Sequence, residues 1–164
     1  MPKSPELIYW DSSVFLSYIN GEEERIQTVD SILDDIEHSD GKKKIVTSAM
    51  AKTEVAFSQN EKTHKTLDDD TEEKINALWE DESVIAIIEV HPYISNLSRD
   101  LMRRSVLKGW KLTTVDAIHL ASAQWVGAKE VHTFDSKLEK FSEFIGCKVC
   151  EPYVEQMLLP NVRK

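Results

Sequence analysis

The chain has 164 residues, of which 41% are hydrophobic and 30% are charged, as is usual for a folded globular domain. Its formal net charge of −9 argues against broad, nonspecific nucleic-acid binding, because such binding depends on Lys and Arg neutralising phosphates. No apolar run approaches the length of a membrane span, the start carries no secretory signal, and two cysteines do not make a disulfide framework. We therefore expect a single domain over residues 1–164, in the cytoplasm and away from membranes.

Short apolar segments rich in β-branched residues alternate with longer segments of helical pattern. The short segments predict strands at 6–11, 44–48, 84–90, 130–134 and 147–151. The longer ones predict helices at 12–19, 24–38, 49–59, 70–82, 93–108, 114–126 and 136–145. Residues 60–72 are predicted to form an exposed connection. Strands alternating with helices indicate an α/β domain with a mainly parallel sheet and helices on both faces.

Four acidic residues stand close to the ends of predicted strands. Asp11 ends the first strand, Asp135 follows the fourth, and Glu54 lies in the helix after the second. Asp116 lies in the first turn of the helix predicted at 114–126. Because ligands bind outside the carboxyl ends of the strands in open α/β sheets, we expect these four acids to meet at one edge of the sheet.

Each acid also has a simpler structural interpretation when it is taken alone. Asp11 and Asp135 suit the N-caps of the helices that follow them, and Asp116 suits a capping box with Thr113. Glu54 could be an exposed helix residue paired with a neighbouring Lys. Taken together, four acids at one edge need pairing, protonation or a metal ion if they are buried, and no neighbouring Arg or Lys in the sequence is suited to neutralise all four.

Four sequence stretches resemble, in order, the acidic motifs of PIN-domain ribonucleases, and the resemblance is closest to the VapC-like toxin branch. They are "YWDSSVFLSYI", "TSAMAKTEVAF", "TTVDAIHLASA" and "VHTFDSKLEKF". The resemblance implies a three-layer α/β/α domain with a mainly parallel sheet of about five strands. It also implies that the metal-binding, catalytic carboxylates are Asp11, Glu54, Asp116 and Asp135, and that Ser12 and Thr133 are the polar residues that support them.

The chemistry that follows is phosphodiester hydrolysis in RNA, either single-stranded or structured. A site of carboxylates without His or Cys suits Mg²⁺ or Mn²⁺ rather than Zn²⁺. We expect Asp11, Asp116 and Asp135 nearest the principal ion, with Glu54 holding a second ion or orienting the attacking water. Ser12 and Thr133 would hydrogen-bond the carboxylates or the substrate phosphate.

A basic stretch provides the candidate RNA contacts. In a helix over 93–108, Arg99 with Arg103 and Arg104 with Lys108 form i, i+4 pairs along adjacent faces, where they could follow a phosphate backbone. The alternative interpretation is an ordinary solvated helix face.

Two departures from the family pattern accompany the resemblance. The acidic segment 61–82 has no counterpart among the motifs, and Ser136 and Lys137 follow Asp135 where the family sometimes carries a further acid. That second departure leaves open whether one or two metal ions bind.

Several other features are interpreted as structural. "CKVC" lacks a second ligand pair for zinc, and Cys147 and Cys150 should point to opposite faces of a strand. His119 is interpreted as a core or supporting residue one turn after Asp116. The tryptophans are predicted to pack, with Trp110 the best candidate for stacking on a base if it is exposed.

Competing interpretations concern both activity and partners. A haloacid-dehalogenase-like phosphatase is disfavoured, because Ser13 stands where such enzymes place a second Asp. A PIN-like binding or scaffold module with little or no nuclease activity is the main alternative. The resemblance further implies a small antitoxin as partner and makes a homodimer plausible.

Overall fold

The structure is a computed structural model that describes residues 3–155. Its centre is one sheet of five parallel strands, in the order β3-β2-β1-β4-β5. The strands are β1 (Glu6–Trp10), β2 (Lys43–Ser48), β3 (Ile85–Ile88), β4 (Glu130–His132) and β5 (Lys148–Cys150). All five predicted strands are present, and most are shorter than predicted at one or both ends.

Eight α-helices and one 3-10 helix connect these strands. The α-helices are α1 (Ser12–Ile19), α2 (Glu23–Glu37), α3 (Met50–Glu54), α4 (Gln59–His64), α5 (Asp69–Glu80), α6 (Pro92–Lys108), α7 (Thr114–Val126) and α8 (Ser142–Ile145). The 3-10 helix covers Ser136–Phe141 and leads directly into α8. Within the described residues, no helix is both long and apolar enough to cross a membrane.

The order of the strands reverses beside β1. The chain adds β2 and then β3 on one side of β1, and it returns to add β4 and β5 on the other side. The neighbouring strands are in register, with Tyr9 opposite Val46 on one side and Val131 on the other. The carboxyl ends of β1 and β4 therefore flank the switch point, which is where ligands bind in sheets of this kind.

Two apolar clusters cover the two faces of the sheet. Strand alternation sends Tyr9 and Val131 into one cluster, where they pack with Leu101 of α6 and Leu120 of α7. The other cluster contains Trp10, which is completely buried, together with residues of α1, α2 and α5. The domain is thus the three-layer α/β/α arrangement that the resemblance implies.

The region between β2 and β3 differs from the sequence expectation. The helix predicted over 49–59 ends at Glu54, and a separate helix, α4, begins after Ser58. A capping box starts α4, because the Ser58 hydroxyl accepts from the Glu61 amide and the Glu61 carboxylate accepts from the Ser58 amide. The prediction that 60–72 is only an exposed connection was therefore wrong, since most of α4 and the start of α5 lie within it.

Candidate active site

Asp11 is the buried acid of the site. It directly follows β1, is 5% exposed, and caps α1 by accepting hydrogen bonds from the amide and hydroxyl of Ser13, at 3.0 and 2.5 Å. Burial raises the pKa of Asp11, and hydrogen bonds from Ser13 and Thr133 and the nearby His119 offset this only in part. The helix-capping interpretation of Asp11 is thus correct, yet capping does not remove the cost of burying its charge.

Two hydroxyl groups connect Asp11 to the loop that carries Asp135. Ser13 Oγ lies 3.4 Å from Thr133 Oγ1 and accepts from the Phe134 amide at 3.0 Å. Thr133 Oγ1 accepts from the Asp135 amide at 3.1 Å. Asp135 itself is exposed and caps the 3-10 helix through the Lys137 amide. The ends of β1 and β4 are therefore joined by hydrogen bonds at the switch point.

Glu54 is held at both oxygens of its carboxylate. Ser12 Oγ donates to Oε2 at 2.8 Å, and His119 Nε2 lies 2.5 Å from Oε1. Partial burial alone would raise the pKa of Glu54, but the contacts with His119 and Ser12 outweigh it and leave the pKa lowered. The simpler alternative, an exposed Glu54 paired with a neighbouring Lys, is not what the structure has, because the partner of Glu54 is a histidine from α7.

His119 is buried between Glu54 and the sheet. It is 2% exposed, and its Nδ1 lies 2.7 Å from the hydroxyl of Tyr9, a fully buried residue of β1. Burial raises the pKa of Tyr9, so the hydroxyl stays protonated. The interpretation of His119 as a supporting residue agrees with these contacts.

Asp116 lies in the first turn of α7, one turn before His119. Its amide donates to the Thr113 hydroxyl at 3.1 Å, and that hydroxyl donates to the Asp116 carboxylate at 2.8 Å. The predicted pairing of Thr113 with Asp116 at the helix start is therefore present. The side chain is only partly buried, so the carboxylate is open to solvent.

The four acids do not form a compact cluster of ligand atoms. Among the described residues, three possible metal ligands have their ligand atoms within 4.8 Å of one another: Glu130, His132 and Cys150. The four acids do not meet this criterion. Among residues 3–155, no Lys or Arg forms an ion pair with Asp11, Asp116 or Asp135. Glu54 differs from these three acids, because it is paired with His119.

The compact cluster around Glu130 has a different character. Trp10 Nε1 donates to His132 Nδ1 at 3.1 Å, so the ring proton of neutral His132 lies on Nε2, which faces Glu130 Oε1 at 2.9 Å. Tyr153 donates to the other Glu130 oxygen at 2.9 Å. Burial, with Glu130 nearby, raises the pKa of Cys150 to about 11, so the thiol is protonated. A metal ion here would have to displace a complete hydrogen-bond network.

The basic side chains of α6 divide into two groups. Arg99 and Arg103 line an open groove of about 440 Å³ together with Thr114 and Ile118 of α7. Arg104 instead lies 4.2 Å from the centre of the Phe144 ring and 3.7 Å from the Asp100 carboxylate.

Lys108 belongs to the second group. Its Nζ lies 3.3 Å from Glu143 Oε1 and 5.5 Å from the centre of the Trp110 ring. Arg99 and Arg103 therefore border the first turn of α7, where Asp116 lies, whereas Arg104 and Lys108 contact α8 and its neighbours.

The tryptophans pack against other aromatic rings, as predicted, although Trp125 does so at the surface. Trp110 packs against Phe141 and Phe144, so the most favoured base-stacking candidate is engaged in the core. Trp125 is 48% exposed and stacks on the exposed Tyr93, with ring centres 5.4 Å apart. Trp125 therefore packs against other aromatic rings, as predicted, but at the surface.

Sequence reasoning missed two residues of this region, Ser13 and Tyr9. Ser12 was expected to hydrogen-bond a carboxylate or the substrate phosphate, and it donates to Glu54, whereas Ser13 is the residue that binds Asp11. The N-cap preference of Asp11 contained the relevant signal, because a capping carboxylate accepts from the residues just after it. The bond between Tyr9 and His119 joins residues 110 positions apart and leaves no local signal.

The fold and these acids define a three-layer α/β domain with an acidic edge at the switch point of a parallel sheet. More particularly, the chain belongs to the PIN domain family, whose family model matches residues 8–143. The chain is 26% identical over 145 residues to a VapC ribonuclease of Aquifex aeolicus, a match that covers 88% of this chain and 96% of that relative. The resemblance to the PIN family and its VapC-like branch is therefore confirmed.

Solved structures show the same fold at low sequence identity. VapBC2 from Rickettsia felis, solved with a DNA fragment from its promoter, matches with a TM-score of 0.63 and 13% identity over 90% of this chain and 99% of that chain. FitAcB from Neisseria gonorrhoeae matches with a TM-score of 0.60 and 17% identity over 88% and 97%. VapC20 of Mycobacterium tuberculosis, a toxin that cleaves the sarcin-ricin loop, matches with a TM-score of 0.58 and 16% identity over 79% and 90%.

Proposed function

We propose that this chain is a divalent-metal-dependent endoribonuclease of the VapC type. The observation that carries the proposal is the set of acids at the carboxyl edge of the sheet, in which Asp11 is buried without an Arg or Lys partner among residues 3–155. A buried carboxylate of this kind is costly unless a cation balances it. Similarity to a relative named VapC ribonuclease supports RNA as the substrate.

The residues present fit a hard divalent cation such as Mg²⁺ or Mn²⁺. The proposed ligands Asp11, Glu54, Asp116 and Asp135 offer only oxygen atoms, which these ions prefer. The carboxylates are too dispersed for all of them to bind one ion directly, but Mg²⁺ usually retains several waters and can be bound through them. When bound, the cation supplies charge neutralisation on the phosphate and activation of a water molecule.

The protein groups supply position and charge. Asp11 and Asp135 are held on either side of the switch point by Ser13 and Thr133, which keeps their separation fixed. Asp116 closes the edge from the first turn of α7. Glu54 is ionised and hydrogen-bonded at both oxygens, so its carboxylate is a fixed negative group. It would accept a hydrogen bond from the attacking water or contribute to cation binding.

The groove beside α7 provides a path for the RNA backbone. Arg99 and Arg103 line it, and neither forms an ion pair with an acid among the described residues. Their charges would attract a phosphate backbone towards Asp116 in spite of the negative charge of the whole chain. We therefore place the main phosphate contacts at Arg99 and Arg103, with Arg104 and Lys108 further along the same helix.

A small antitoxin is the proposed protein partner. Several similar structures are VapBC assemblies, including those from Rickettsia felis, Haemophilus influenzae and Salmonella typhimurium. An uncompensated acidic edge is suited to a basic side chain presented by such a partner, which would inhibit cleavage by occupying the cation position. A homodimer remains a prediction, to be tested by the mass of the purified protein in solution.

The decisive experiment compares Asp116→Asn with Asp34→Asn, which changes a 73% exposed acid on α2. Single-stranded RNA cleavage is assayed with Mg²⁺, with Mn²⁺ and with EDTA, and Mn²⁺ binding is measured by calorimetry. We expect Asp116→Asn to lose most cleavage while Asp34→Asn keeps it, and EDTA to abolish cleavage in both. Undiminished cleavage by folded Asp116→Asn would refute the site, and absence of saturable Mn²⁺ binding by wild type would favour the scaffold alternative.

A further inference from the structure

A continuous row of hydrogen bonds runs from the sheet to the acidic edge through His119. The hydroxyl of Tyr9 lies 2.7 Å from Nδ1 of His119, whose Nε2 lies 2.5 Å from Oε1 of Glu54. Ser12 Oγ donates to the second oxygen of the same carboxylate at 2.8 Å. Two elements that are far apart in sequence, β1 and α7, thereby determine where the Glu54 carboxylate lies.

The direction of these bonds follows from the donor and acceptor properties of the groups. Glu54 is ionised and only accepts, so the proton between it and His119 belongs to Nε2. Tyr9 keeps its proton and can donate to Nδ1, a direction that agrees with a hydrogen of His119 lying on Nε2. The pair is buried, with Tyr9 at 0% and His119 at 2% exposure, so neither ring is free to turn away.

Glu54 needs these hydrogen bonds because the short helix that carries it does little to fix the position of its side chain. It is the last residue of α3, a helix of only five residues, and Val55 after it has left the helical conformation. A carboxylate offers about four lone-pair positions, and His119 and Ser12 use two of them. The remaining positions are directed by those two bonds and are available to a cation or its bound water.

Given the metal-dependent activity proposed above, we infer that His119 is a positioning residue: braced by Tyr9, it fixes the Glu54 carboxylate for cation binding at the acidic edge. It does not touch the cation or the RNA. Groups that hydrogen-bond a metal-ligating carboxylate or histidine commonly change metal affinity or activity about 10–100-fold when they are replaced. The same range is expected here for loss of the donor at Nε2.

Two substitutions of similar polarity separate positioning from packing. In His119→Gln the side-chain amide can reach the position of Nε2 and donate to Glu54. In His119→Asn the side chain is shorter, so its amide cannot reach that position and Glu54 loses the donor. We expect His119→Asn to weaken Mn²⁺ binding, measured by calorimetry, about 10–100-fold, and His119→Gln to remain within about threefold of wild type. His38→Gln, at a 74% exposed histidine that ends α2 and pairs with Asp34, is the control and should bind as wild type.

Double variants then test whether His119 acts through Glu54. If it does, adding His119→Asn to Glu54→Gln causes no further loss of Mn²⁺ affinity, because the carboxylate to be positioned is already gone. Tyr9→Phe should weaken binding in the same direction, while Tyr153→Phe, which removes the bond from Tyr153 to the Glu130 carboxylate, should not. Thermal unfolding of every variant shows which of them are folded.

The outcomes distinguish the inference from the function on which it rests. Equal loss in His119→Gln and His119→Asn, or an additive double variant, would overturn the positioning role while leaving the nuclease intact. Wild-type affinity in folded His119→Asn would overturn it as well. Failure of wild type itself to bind Mn²⁺ would instead overturn the proposed function.

Discussion

The hydroxyl oxygens of Ser13 and Thr133 lie 3.4 Å apart and connect the ends of β1 and β4 where the strand order reverses. Ser13 also donates to Asp11 and accepts from the Phe134 amide, and Thr133 accepts from the Asp135 amide. These hydrogen bonds hold the residues that follow β1 against the residues that follow β4. Together with the backbone pairing of β1 and β4, two small hydroxyl side chains therefore help to set the separation of Asp11 from Asp135.

Replacing Ser13 by alanine should disturb both acids. The change removes a donor to Asp11 and leaves the Phe134 amide without its acceptor, and an unsatisfied buried group costs about 1–3 kcal/mol. We expect a loss of that size in the free energy of unfolding, measured by urea denaturation, together with weaker Mn²⁺ binding.

Ser12→Ala is the matched comparison for Ser13→Ala. It removes a single bond, to Glu54, and should cost about 1 kcal/mol or less. Equal stability of the two variants would show that the Ser13 contacts are not a significant link between the strands.

Asp11→Asn should stabilise the protein while it removes activity. Burial raises the pKa of Asp11, so its ionised form is destabilising in the fold at neutral pH, and the neutral amide avoids that cost while it keeps an acceptor for Ser13. A gain of about 0.5–2 kcal/mol is typical when a functional residue is replaced in this way. Urea denaturation at pH 7 measures it.

The pH dependence provides the control for this prediction. The ionised Asp11 lowers the free energy of unfolding at any pH above its raised pKa in the folded protein. This loss disappears as the pH falls through the raised pKa towards the ordinary value of 3.8. The stability advantage of Asp11→Asn over wild type should therefore shrink in that pH range. Asp135→Asn changes an exposed acid whose capping bond an Asn can replace, and its stability should stay within about 0.5 kcal/mol of wild type. An Asp11→Asn variant less stable than wild type at pH 7 would contradict the account.

The secondary-structure elements that carry the four acids could be predicted from the sequence, because local patterns mark the ends of strands and helices. Asp11 and Asp135 follow short apolar strands, and parallel strands end at a common edge whatever the loops do. The partner of Glu54 could not be predicted in the same way. It depends on how far α3 extends and on which face of α7 meets the sheet, and both are tertiary outcomes.

The same distinction explains the error around α4 and the unpredicted exposure of Trp125. Ser58 and Glu61 form a recognisable capping box, but the apolar residues before them allowed a longer preceding helix to be predicted. Trp125 lies on a helix that is largely apolar, so its sequence environment resembles that of the buried residues. Only the packing of α7 against α6 decides which of those positions faces outward.

Arg99 and Arg103 should contribute to RNA affinity more than Arg104 does. They border the groove beside α7, whereas Arg104 is committed to Phe144 and Asp100. We expect Arg99→Ala and Arg103→Ala to raise KM for RNA with little change in kcat, because they bind the phosphate backbone equally in substrate and transition state. For single-stranded RNA, each lost contact should reduce the slope of log affinity against log salt by about 0.7.

Arg104→Ala is the matched variant on the same helix. It should raise KM less and leave the salt slope nearly unchanged, although it removes the packing of the guanidinium on Phe144. The groove assignment fails if Arg104→Ala weakens RNA binding as strongly as Arg99→Ala does.

The Glu130 network should stabilise the fold in a pH-dependent manner. Burial alone would raise the pKa of Glu130, but bonds from His132 and Tyr153 outweigh it and leave the pKa lowered. The ionised carboxylate therefore contributes stability above its ordinary pKa of 4.5, and this contribution is lost as the pH falls through the lowered value.

Tyr153→Phe removes one of the two bonds and should cost about 1–3 kcal/mol at pH 7, because it leaves a charged, buried oxygen without its donor. The loss should be smaller at pH 3.5, because a larger fraction of Glu130 is protonated there than at pH 7. Urea denaturation at both pH values measures the difference, with Tyr93→Phe, at a 67% exposed tyrosine, as the control. A loss of equal size at the two pH values would mean that the Tyr153 hydroxyl stabilises the fold independently of the charge on Glu130.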